Sequence, residues 1–299
     1  MATHSVTVRV PATSANMGPG FDCLGIALDW TSEITLEASD QPVRAPEDPI
    51  TRMVISAALS LYTRVGVAPP AGLSARYVGD VPVGRGLGVS AAARVAGLLA
   101  ADALIEGGEP HSADAILALA TQLERHADNA APALLGGLQV VVADDDGIVH
   151  IGITPPADLR VALLVPEFSM PTEESRLKLP ERVTLNQAVH NIGRAALLVA
   201  ALSQQRYDLL TTATEDVLHQ PARATIFTAM YPIFQAARDA GAVGVYLSGG
   251  GPTIAALVSA TRAEDVAGAM REAAASHGVQ STTRVCGFQT AGAEIIART

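Results

Sequence analysis

The chain has 299 residues, of which 49% are apolar, 17% charged and 4% aromatic, and its formal net charge is −10. That length and apolar content support a large packed core in two lobes and exclude a disordered chain. The acidic balance and the scarcity of aromatic residues exclude nucleic acid or an anionic membrane as a general partner, although a helix N-terminus still holds a phosphate locally against such a field. Two cysteines, Cys23 and Cys286, provide neither a disulfide framework nor a cysteine-rich zinc site. "MATHSVTVRV" lacks the apolar run of a signal peptide, and no stretch approaches the roughly 20 apolar residues that span a bilayer. A cytoplasmic setting is expected.

In chain order, "SVTVRVPAT" alternates Val6, Val8 and Val10 with polar neighbours and predicts a strand stopped by Pro11. "EITLEA" predicts another strand, and "GLQVVVADDDGIVHIGI" a hairpin turning at "DDDG". Helices are predicted over 52–65, over 90–105, and from an N-cap at Ser112 to about Arg125. "DLRVALLVP" predicts a buried strand, followed by "EFSMPTEESRLKLPERVT", a polar, proline-bounded stretch suited to a mobile substrate loop. The next helix carries Leu185, Val189, Ile192, Ala196 and Val199 on one face. The last third predicts helix 228–240, strands 243–247 and 253–258, helix 263–277 and strand 282–288. Strands and helices mix without a regular βαβ rhythm, so α+β layering is expected, with a lobe boundary near 150–160.

Four stretches carry chemistry. In "PVGRGLGVSAAA" the glycines Gly84, Gly86 and Gly88 allow close backbone approach, and small residues then open a helix whose free N–H groups suit an anion. The spacing fits neither a dinucleotide fingerprint nor a Walker loop, so a phosphate cradle and a plain turn both stand on this evidence. "PATSANMGPGFDCLGIAL" gathers Thr13, Ser14, Asn16 and Asp22 after a strand, as a polar-substrate site or a solvated turn would. "LERHADNAAPALLGG" sets Glu124, an oxygen ligand suited to Mg²⁺, beside His126, Asp128 and Asn129 at a helix end. "YLSGGGPTIAAL" has too many glycines for a two-residue hairpin, which implies a close neighbour to the backbone.

These stretches, in this order, resemble the three signature motifs of the GHMP kinase superfamily. "VPATSANMGPGFDCLGIAL", "HADNAAPALLGG", "TEESRLKLP" and "LHQPAR" are similar to segments of its homoserine kinase branch, and the similarity runs over nearly the whole chain. The resemblance implies an α+β, two-lobe GHMP kinase fold, with an N-terminal ATP-binding lobe over 1–155 and a ferredoxin-like C-terminal lobe over 156–299. It implies transfer of the ATP γ-phosphoryl group to the hydroxyl of L-homoserine, on the route to threonine, in a homodimer that uses Mg²⁺. By motif, Pro82, Val83, Gly84, Arg85, Gly86, Leu87, Gly88, Val89, Ser90, Ala91 and Ala92 would wrap the ATP phosphates. Ser90 and Glu124 would serve the metal. Asn16, Asp22, His126, Asn129, Thr172, Arg176 and Arg223 would surround homoserine. Asn129, His126 and Arg176 are the expected catalytic side chains. Asp22 suits the substrate ammonium, and Arg176 with Arg223 the carboxylate. Asn129 stands where related kinases carry an aspartate proposed as base, so strong base catalysis is not expected; Asp128 is expected to organise its loop, and Cys23 to be a packing residue.

The chain departs from the pattern in three places. Val89 replaces one hydroxyl of the usual G-L-G-S-S, Arg125 and Ala127 stand where Gly and Pro are common, and Gly250 where Ala is usual. Ser90, at the start of the helix, is expected to keep the metal-side role without Val89, and Arg125 to add a cation that could help hold phosphate.

Overall fold

The valine alternation does set a strand, but the strand runs past Pro11. In the computed structural model, which describes residues 4–105, 109–144, 147–170 and 172–299 (only the backbone for 172–174), β1 (His4–Ala15) pairs antiparallel with β2 (Leu24–Ser39). Their register shifts between Pro11 and Thr13, so the missing proline N–H falls at an irregularity of the ladder instead of ending it. α1 (Pro49–Val65) starts under an Asp48 side chain that accepts from the Thr51 N–H and stops at left-handed Gly66. β3 (Gly72–Val78), which the sequence reading missed, pairs with β2. α2 (Val89–Leu104), α3 (Ala113–Glu124) and α4 (Ala130–Leu135) follow, α3 capped by Ser112 as predicted and ending on Arg125 in the left-handed region. β4 (Leu138–Asp144) and β5 (Gly147–Ile153) form the predicted hairpin, and residues 145–146 at its turn lie outside the described residues.

The second half opens with β6 (Leu159–Pro166). The stretch expected to be a loop then contains α5 (Thr172–Leu177), so Arg176 is carried on a helical turn. α6 (Leu185–Ser203), α7 (Leu210–Ala213), α8 (Gln220–Ala224), α9 (Met230–Asp239), β7 (Gly244–Leu247), β8 (Ile254–Ser259), α10 (Ala263–Ser276), β9 (Ser281–Cys286) and β10 (Glu294–Arg298) complete the order. One sheet has the order β10-β1-β2-β4-β5, with β3 also on β2; the other has the order β7-β8-β6-β9 and is antiparallel throughout. The last strand therefore returns from the second half to the first sheet.

Along β6, β7 and β8 both faces of the second sheet are buried. Leu163, Ala255 and Leu257 join the core that also holds α1, α2 and the first sheet, whereas Leu164, Ile254 and Ala256 pack with α9 and α10. A strand covered on both sides reads as a continuous apolar run, which is why "VALLV" shows no alternation. Each such leucine contributes about 1.5–3 kcal/mol through removal from water. On α6 the predicted apolar face is not the one that packs: Leu185, Val189, Ile192 and Ala196 are exposed and Val199 is half-buried, while Leu198, Ala201 and Leu202, on a different face, are buried.

Candidate active site

Gly84, Gly86 and Gly88 all have φ between +67° and +78°, the region in which a side chain is strained. Two of them also have no room for a Cβ. At Gly86 it would lie 2.2 Å from the Ser248 carbonyl oxygen, and at Gly88 1.8 Å from Thr13 Oγ1 and 2.9 Å from Asn129 Oδ1. The close neighbour implied by the triple glycine is thus the first glycine loop. Ser248 Oγ donates to the Gly86 carbonyl at 2.7 Å, and the Gly249 N–H to the Ala15 carbonyl at 2.9 Å. Gly88 begins α2 with no side-chain cap, so the N–H groups of Val89, Ser90 and Ala91 and the positive end of the helix dipole face the loop. Val89 itself is buried in the core, and Ser90 turns the other way, its Oγ donating to Glu124 Oε2 at 3.1 Å.

Asn129, at the start of α4, accepts from Thr13 Oγ1 at 2.7 Å, directly below Gly88. Its neighbour Asp128 is buried and bonds His126 Nδ1 at 2.5 Å. Burial alone pushes the His126 imidazole down, but the bond to Asp128 and its charge outweigh this and hold the ring above its ordinary value. Asp22, in the left-handed region, grips Arg176 through both oxygens, with Nη1 to Oδ2 at 2.9 Å and Nη2 to Oδ1 at 2.5 Å. The two groups expected to take opposite ends of the substrate thus hold each other. Asn16 is buried and its amide serves the backbone, donating to the Gly249 carbonyl and accepting from the Asp22 N–H. The Thr172 side chain lies outside the described residues. Arg125 is an exposed helix cap.

Arg223 is fully buried, with Nη1 2.6 Å from His219 Nδ1 and Nε without a partner among the described residues. Burial and then the like charge of Arg176 push its guanidinium down to about 10, so it stays charged at neutral pH. His219 Nε2 lies 2.6 Å from the Gly18 carbonyl, which can only accept, so the ring donates there and accepts from Arg223 at Nδ1. Burial lowers the His219 pKa to about 4 and keeps the ring neutral. Phe21 lies under both guanidiniums, 5.2 Å from Arg176 and 5.5 Å from Arg223. Phe21 and His219 escaped the sequence reading, although His219 stands four residues before Arg223 in "LHQPAR". Cys23 is raised to about 11 by burial, then by Asp128 and Asp22, which leaves an inert thiol.

Ser90 Oγ and Glu124 Oε2 are hard oxygen donors whose 3.1 Å separation suits adjacent corners of an Mg²⁺ octahedron, about 2.9 Å apart for bonds near 2.05 Å. Asp22, His126 and Asp128 also offer ligand atoms within 4.8 Å of one another, but Asp22 is engaged by Arg176 and Asp128 by His126.

Two family descriptions match the chain: GHMP kinases N terminal domain over residues 52–137 and GHMP kinases C terminal over 194–276. A homoserine kinase of Desulfitobacterium hafniense is 39% identical over 97% of this chain and 100% of its own length. The chain belongs to the homoserine kinase family of GHMP kinases. A homoserine kinase of Symbiobacterium thermophilum is 44% identical over 74% of this chain and 73% of its own. The crystal structure of homoserine kinase from Cytophaga hutchinsonii superposes with a TM-score of 0.87 at 31% identity, covering 98% of this chain and 97% of the other. Mevalonate diphosphate decarboxylase of Enterococcus faecalis shares the fold at a TM-score of 0.69 but only 16% identity, over 99% of each chain. The same fold is thus shared with a decarboxylase, so the fold alone does not set the chemistry.

Proposed function

We propose that this chain transfers the γ-phosphoryl group of ATP to the side-chain hydroxyl of L-homoserine, giving O-phospho-L-homoserine and ADP on the route to threonine. One observation carries the reading. Through Gly88, Thr13 and Asn129, the uncapped start of α2 lies against the group suited to hold an acceptor hydroxyl.

The α2 N–H groups and the loop from Pro82 to Ala92 bind the phosphates. Ser90 Oγ and Glu124 Oε2 would hold Mg²⁺, which when bound would supply neutralisation of the phosphate charge. Asp22 takes the homoserine ammonium, and Arg176 and Arg223 its carboxylate. Asp22 and Arg176 are paired with each other, and a zwitterion inserted between them would bring each an opposite charge, so that no half-buried ion would be left alone. Phe21, under both guanidiniums, fixes the planes in which they meet the carboxylate. Asn129 then orients the hydroxyl, and its oxygen attacks phosphorus as the bond to the β,γ-bridging oxygen breaks. An amide takes up no proton, so the proton leaves to the transferred phosphoryl group or to water. Positioning and charge neutralisation supply the acceleration.

The protein acts as a homodimer on a small molecule in the cytoplasm, without nucleic acid, with its lobes divided near residue 155. No helix among the described residues is long and apolar enough to cross a membrane. A coupled assay for ADP release with L-homoserine, L-threonine, L-serine and mevalonate as acceptors tests the activity. Homoserine is expected to give the highest kcat/KM. Preference for mevalonate, or nucleotide binding without acceptor-dependent turnover, would overturn the assignment.

A further inference from the structure

The carboxylate proposed to hold the metal sits in an awkward place. Glu124 is the last residue of α3, at the negative end of the helix dipole, and its side chain is only 6% exposed. A buried carboxylate there needs a cation beside it. Arg94 supplies one: its Nη1 donates to Glu124 Oε1, while Oε2 is left to Ser90 Oγ at 3.1 Å. Ser90 and Arg94 are four residues apart on α2, so the hydroxyl and the guanidinium lie one turn apart on the same helix face, both directed at the end of α3.

We infer that Arg94 is a positioning residue for the metal site, fixing Oε1 so that Oε2 stays turned toward Ser90 and the metal. The inference rests on the reading of Ser90 and Glu124 as metal ligands. It assigns Arg94 a role beyond joining α2 to α3. A guanidinium that clamps one carboxylate oxygen removes the rotation that would swap or splay the two, and partners of this kind commonly change metal affinity by about 10–100-fold. Lysine, a point charge on a flexible stem, would neutralise Glu124 but orient it less well.

The test is Mn²⁺ binding to the full chain in the presence of saturating ADP, followed by electron paramagnetic resonance, alongside the free-Mg²⁺ dependence of turnover. Arg94→Met should weaken Mn²⁺ binding about tenfold or more and raise the Mg²⁺ needed for half-maximal rate, with ADP affinity in the absence of metal unchanged. Arg94→Lys should recover part of the loss and serves as the decisive variant should the methionine chain fail to fold: a wild-type Mn²⁺ affinity in Arg94→Lys would then overturn the inference. Unchanged Mn²⁺ affinity in a folded Arg94→Met chain would reduce Arg94 to a structural ion pair. Tighter binding would show that the guanidinium competes with the metal for Glu124, and would equally overturn the inference. Ser90→Ala and Glu124→Gln serve as references. If neither weakens Mn²⁺ binding, the metal site itself has been misplaced, which is a different failure from that of Arg94.

Discussion

Val89 shows how a departure from a motif is absorbed at the scale of one residue. The side chain enters the core that also holds Leu87 and Ala92, and the next residue, Ser90, turns toward Glu124. A hydroxyl at position 89 would therefore be buried away from the phosphates. Val89→Ser is expected to lower stability by about 1–3 kcal/mol, through burial of an ill-matched hydroxyl, and to leave kcat/KM within about twofold. Thermal melting and steady-state kinetics on one preparation check both halves. A large gain in activity would mean that position 89, not 90, carries the metal-side hydroxyl. The same scale explains what the chain alone concealed about Asp22 and Arg176. Their residue types announce an ammonium and a carboxylate partner, but 154 residues separate them, and only the folded chain shows them bonded to each other.

At the scale of elements, the glycine loop is defined by what it touches. Gly88 and Gly66 have nearly the same backbone, φ +67° and +70°, and each flanks a helix end, but a Cβ at Gly66 meets nothing within 4 Å. Gly66→Ala is expected to cost only the left-handed penalty, about 1–2 kcal/mol, with activity intact. Gly88→Ala adds a collision with Thr13 and Asn129, so turnover should fall at least about 100-fold in any chain that folds. Equal activity in the two variants would mean that the Thr13–Asn129 contact plays no part in the reaction. The helices α1, α2, α3 and α6 and the buried strand β6 were legible because caps and apolar periodicity are local signals. β3 and β10 were not: each lies along another strand whose edge only the fold supplies, and neither carries a strong alternation of its own. The end of β1 was misread because proline breaks a ladder only where its N–H is needed.

At the scale of the whole molecule, His219 ties α8 to the loop after β1 through the Gly18 carbonyl while it supports Arg223. Asp216, 3.8 Å away, Arg223 and Asp22 are the charges that face it. Its pKa is lowered to about 4 by burial, against about 6.5 in an unfolded chain. Between these values the unfolded chain binds a proton that the folded chain refuses, so stability present at neutral pH is lost as pH falls from about 6.5 to about 4. The loss attributable to this ring is at most about 3 kcal/mol. His219→Gln, which keeps a donor and an acceptor, should flatten the slope of stability in that window relative to the unaltered chain. Urea unfolding at a series of pH values measures it, and parallel slopes would sink the idea.

The family, the order of the motifs and the residue types proposed to meet ATP and homoserine were all legible along the chain, because glycine spacing, caps and short polar clusters are local and follow from backbone sterics. Only the tertiary structure decided the partners. It turned Val89 inward and Ser90 outward, spent Asn16 on the backbone, closed Asp22 on Arg176, buried Arg223 beside His219 and set Arg94 against Glu124. Charges and hydrogen bonds between residues far apart along the chain depend on packing, since the entropy of closing those long loops is met by burial of the shared core and not by any local preference.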